Sequence, residues 1–140
     1  MHLNLKTLLV ITPVIFVLAC GKKETSREDV RSDLIKSISL ATEAEIFVRY
    51  MGQGHATYYF ASGHLRYLLD EVNRSAQELS NVNASPDLRD VLDMDHAQLG
   101  LLAVQIENVR RQIQQPQVLA TSEQQIREIH RTLVQAKSKL

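Results

Sequence analysis

Between residues 26 and 140 the apolar positions recur at alternating steps of three and four, the spacing of one face of an α-helix. The first stripe is Val30, Leu34, Ile38, Ala41, Glu45, Val48. Ser26 with Asp29, or Thr25 with Glu28, offers a capping pair ahead of it, and Gly52 and Gly54 follow it. A second helix is expected from about His55 to Ser80 on Ala61, Leu65, Leu68, Val72, Ala76 and Leu79, then a loop at Asn81-Val82-Asn83-Ala84. Ser85-Pro86-Asp87 places a cap, a first-turn proline and an acid where a helix dipole favours them. The stripe that follows, Leu88, Leu92, Asp95, Leu99, Leu102, Ile106, Val109, Ile113, should end before Gln115-Pro116. A second capping box, Thr121-Ser122-Glu123-Gln124, is expected to open a fourth helix carrying Ile126, Ile129, Leu133 and Ala136.

Four amphipathic helices of about 18–28 residues with short connections predict an all-α, antiparallel, up-down-up-down four-helix bundle over residues 26–140. A pair of long hairpins that open or dimerise is the alternative. Scarce glycine and proline (5 and 3) and the lack of long β-type alternation speak against strands, and 44% hydrophobic content is enough for a core.

The first residues differ in kind. Lys6 precedes the apolar run TLLVITPVIFVLA, too short for the roughly 20 residues that cross a bilayer, and the run ends in Val17-Leu18-Ala19 directly before Cys20-Gly21. This segment resembles the bacterial lipoprotein signal, with Leu18 bulkier than the family's usual residue. The resemblance implies cleavage before Cys20 and attachment of lipid to its thiol. Residues 1–19 would then be a signal peptide and 20–25 a lipidated tether. Gly21, where aspartate would direct retention in the inner membrane, implies the periplasmic face of the outer membrane. Cys20 is the chain's single cysteine, so no other thiol could take the lipid. Three acyl chains, each buried methylene contributing about 0.8 kcal/mol, make a durable anchor.

Charge narrows the partners. Lys+Arg and Asp+Glu both number 16, and losing Lys6 with residues 1–19 leaves 15 against 16, so no positive field exists to draw nucleic acid. No Gly-rich phosphate loop, nucleophile elbow, Cys-x-x-Cys-His or His-Glu-x-x-His occurs, and carboxylate-x-x-His appears once, at Asp93 and His96. No enzyme, cofactor or metal is therefore expected.

Two acids interrupt apolar stripes and need partners. Counting heights along an antiparallel bundle sets Asp95 beside His130 and Arg131, and Glu45 beside His64, with Tyr58 and Tyr67 nearby. These are either structural polar pairs that fix register or the lining of a ligand- or metal-binding core built on Glu45, His64, Asp95 and His130. Past the signal, every aromatic ring lies between Phe47 and Tyr67. Consecutive helical residues point about 100° apart, so Tyr58, Tyr59 and Phe60 cannot all face inward. The cluster either plugs the bundle's open end or, through Tyr50, Tyr58, Tyr59 and Phe60, contacts an envelope protein. Small helical lipoproteins that chaperone secretins are similar in size and layout, though they carry a cysteine pair that this domain lacks.

Overall fold

The computed structural model describes residues 24–140; the signal segment and Cys20 lie outside them. Four helices follow one another: α1 (Arg27–Gly52), α2 (Tyr58–Ser80), α3 (Pro86–Arg111) and α4 (Pro116–Lys137), and no strand occurs among the described residues. They form an all-α, antiparallel, up-down-up-down bundle.

The helix starts show which local signals the fold uses. Ser26 caps α1: its Oγ accepts from the Asp29 amide at 3.1 Å while its own amide donates to Asp29 Oδ2 at 3.0 Å. Gly54, at φ 75°, turns the chain after α1 in a conformation that glycine adopts freely. α2 begins three residues later than the sequence suggested, because Thr57 supplies the cap, accepting from the Phe60 amide. α4 departs most from expectation. It starts at Pro116, not at Thr121, with proline's fixed φ in the first turn and the Gln115 carbonyl accepting from the Val118 and Leu119 amides. The expected capping residues Thr121 and Ser122 are interior helical positions, and Ser122 is buried. An earlier start lets Leu119 join the core, and that burial outweighs the local capping pattern.

Leu34 of α1, Leu65 and Leu68 of α2, Leu99, Leu102 and Ile106 of α3, and Ile126 and Leu133 of α4 are fully buried. Each such side chain contributes roughly 1.5–3 kcal/mol. The expected stripes hold on α2, α3 and α4. On α1 the buried face is rotated: Ser37, Leu40, Ala44 and Phe47 join Val30, Leu34, Ala41 and Val48, while Ile38 and Glu45 move to a flank. The rotation follows from packing, since α1 rests mainly on α4, reaches α3 across the core and meets α2 least of its neighbours.

One end of the bundle gathers the start of α1, the α2–α3 loop and the carboxy terminus. Thr25 donates its amide to Asn83 O at 2.8 Å, and Arg27 reaches both Leu140 O and Asp87. The α1–α2 and α3–α4 connections form the opposite, distal end, about 39 Å away along a 26-residue helix. No described helix is long and apolar enough to cross a membrane.

Candidate functional site

The four polar residues read from the stripes do not meet as one site. Asp95 is fully buried on α3, and neither carboxylate oxygen meets a donor at hydrogen-bond geometry. Its neighbours come from α1: burial raises its carboxyl to about 6, the Ser37 hydroxyl partly offsets this, and Asp33 adds to it. The expected pairing with His130 is absent. His130 lies on the flank of α4, where Nε2 is 3.4 Å from Thr42 Oγ1 and Nδ1 is 3.8 Å from Glu45 Oε2. Equal height along the bundle put Asp95 and His130 in one layer, but the rotation of α4 turns the imidazole outward, away from the core position of Asp95.

Glu45 likewise faces α4 rather than α2. Its Oε1 accepts from Arg49 at 2.6 Å and Arg127 at 3.0 Å, and both arginines also hold Glu123 Oε1. Two acids and two arginines thus close an α1–α4 seam with their charges balanced. His64 is paired instead with Glu43, Nε2 to Oε1 at 3.3 Å. Among the described residues no group of three or more His, Cys, Asp or Glu side chains is placed to hold a metal ion. As a shared metal-binding core, Glu45, His64, Asp95 and His130 therefore have no geometric basis among the described residues.

The aromatic residues do converge. Phe47 is buried at the distal part of α1, and rings spread from it along the α1–α2 seam. His64 lies 4.2 Å from it, Phe60 5.8 Å and Tyr50 6.4 Å between centroids, and Tyr67 continues 6.0 Å beyond His64. The outer rings are open to solvent, Phe60 by 56% and Tyr50 by 42%. None of Tyr58, Tyr59 and Phe60 faces the core. Tyr58 leans toward the end of α3, bordering a depression with Arg110, Arg111 and Gln112, and Tyr59 projects outward at 88% exposure. The four rings proposed from sequence thus divide: Tyr50 and Phe60 line the seam, while Tyr58 and Tyr59 stand to the other side.

Beside the rings, on the outer face of α1, lies an apolar trough of about 510 Å³ bordered by Ile38, Glu43, Ile46, Phe47, Tyr50 and His64. Ile46 is 57% exposed and Ile35 extends the same face toward the base. Sequence reading passed over Ile35, Ile46 and Glu43 because attention to the buried stripe leaves the opposite face unexamined. A signal was present: Ile35, Ile46 and Tyr50 are spaced by 11 and 4, which is a second helical stripe. Exposed contiguous apolar surface is uncommon on isolated globular proteins and marks contact surfaces.

Comparison with protein-family models, with curated proteins and with solved structures finds no match to this chain.

Proposed function

We propose that the chain is a lipid-anchored, non-enzymatic module of the bacterial cell envelope, tethered through Cys20 to the periplasmic face of the outer membrane, whose distal half binds another envelope protein. The anchor rests on the likeness of Val17-Leu18-Ala19-Cys20 to the lipoprotein signal. The single observation that carries the binding role is the continuous set of exposed rings at the α1–α2 seam. A fold needs its rings inside, where each ring's area stabilises the core. Leaving Tyr50, Phe60 and Tyr67 in water serves contact rather than folding.

An alanine series across Tyr50, Tyr58, Tyr59 and Phe60, scored for melting temperature and for rescue of a deletion strain, tests the binding role. Loss of rescue with an unchanged melting temperature is the expected result for at least one ring. If every variant that fails to rescue also melts early, the rings serve folding and the binding role is wrong. For the anchor, Cys20→Ser should abolish incorporation of radiolabelled palmitate, and label in that variant would disprove attachment at Cys20.

A further inference from the structure

We propose that the trough on the outer face of α1 is the docking site of a partner's amphipathic α-helix, which lies along α1 as a fifth helix and sets a lysine or arginine against Glu43. The inference rests on the protein-binding reading and names the surface and the chemistry of the partner.

The shape supports a helix. Ile35 and Tyr50 are 15 residues apart on one helix, which makes the face about 22 Å long and matches about four turns of a partner. Ser39 and Thr42 lie between Ile35 and Ile46, so a low stretch separates two apolar ridges, the relief into which a helix packs its own side chains. Both hydroxyls donate to carbonyls of their own helix, Ser39 to Ile35 at 2.9 Å and Thr42 to Ile38 at 2.8 Å, so covering them strands no donor. The rings of Phe60 and Tyr67 on α2 rise along one side. A fifth helix would cover Ile46, Tyr50 and Phe60 together, burying apolar area as helix-in-groove complexes do.

The charge selects the partner. Among the described residues Glu43 is the acid that borders the trough, and no described lysine or arginine borders it. Its ion pair is with His64, Nε2 to Oε1 at 3.3 Å, and the Glu43 side chain stays 45% exposed, open to a further cation. Glu45, on the flank of α1 that faces α4, is already held by Arg49 and Arg127. A cation on the incoming helix therefore meets an acid still open to solvent, beside the exposed ring of Tyr50. An anionic surface would meet repulsion at the same point.

The test uses two labelled helical peptides of about 15 residues. Each carries leucines at helical spacing on one face, with a central lysine in one and a central glutamate in the other. They are titrated against the full chain in nanodiscs of zwitterionic lipid. The lysine peptide should bind about tenfold tighter or more, since like charges at a contact cost several kcal/mol. Glu43→Lys should invert the preference and Ile46→Asp should remove binding of both, while Val104→Ala on the exposed face of α3 leaves it unchanged. Each variant is first shown to melt like the wild type, as expected at exposed positions. Equal binding of the two peptides, or a preference that survives Glu43→Lys, overturns the proposal. So does sedimentation showing a dimer that Ile46→Asp dissolves, because the occupant is then a second copy. If Glu43→Lys and Ile46→Asp rescue a deletion strain while Tyr58→Ala or Tyr59→Ala does not, the protein-binding reading stands and the helix trough falls.

Discussion

Asp95 occupies a position where the repeat of α3 asks for leucine, and no donor meets either of its buried carboxylate oxygens at full hydrogen-bond geometry, the Ser37 hydroxyl being the group set against it. Burial raises its carboxyl from an ordinary value of 3.8 to about 6, against a small lowering from Ser37 and His96 and a further push from Asp33. Between those two values the folded protein holds a proton that the unfolded chain has released. Stability from this group therefore falls as pH rises from about 4 to about 6, and the full penalty applies above that. A shift of this size corresponds to about 3 kcal/mol. Asp95→Leu should accordingly raise the melting temperature at pH 7.5, with 1 kcal/mol worth about 4 °C in a domain of this size, and raise it less at pH 5. Thermal melts of both proteins at the two pH values check this. A leucine variant that melts lower at both would mean that the carboxylate makes an interaction the bundle needs.

Two capping boxes with similar sequences meet different ends in the folded helices. Ser26-x-x-Asp29 forms, both of its bonds being made at the start of α1, while Thr121-Ser122-Glu123-Gln124 lies inside α4. Ser26→Ala should cost about 1 kcal/mol, the usual value of a lost cap. Thr121→Ala should be neutral or slightly stabilising, since alanine is the better residue in an exposed helical interior. Urea denaturation of the two variants decides between the ranges, and a loss at Thr121 comparable to that at Ser26 would move the start of α4 back to the sequence signal. Local chemistry proposes a start, and the burial of Leu119 two residues before the box selects another.

Across the whole molecule, rings of the same chemical kind divide into folding and contact roles by depth. Phe47 is buried where α1 and α2 meet and touches Phe60 and His64, so Phe47→Ala should cost about 3–5 kcal/mol. Tyr59 projects into solvent, and Tyr59→Ala should leave the melting temperature unchanged. Calorimetry of the two variants measures the division, and an early melt at Tyr59 would place that ring in the packing of the distal end. The base of the bundle, where the chain enters beside Asn83 and Leu140, is the end next to Cys20 in sequence. The exposed rings of Tyr50 and Phe60 lie toward the opposite end of the bundle from that entry.

Most of the architecture was legible in the chain because helical periodicity is a local property. The stripes of α2 and α3, the Ser26 box and the Pro86 start could each be read without knowing what they pack against, and so could the need for some of Tyr58, Tyr59 and Phe60 to meet water. The sites were less legible. Height along a bundle follows from counting residues, but the rotation of each helix about its axis depends on the neighbours it buries against. That rotation turned Glu45 to α4, gave His64 to Glu43 and left Asp95 facing Ser37 instead of His130. It also left Ile35 and Ile46 uncovered. A sequence records which residues can share a face of one helix; which face meets which neighbour is settled only when four helices compete to bury the same apolar area.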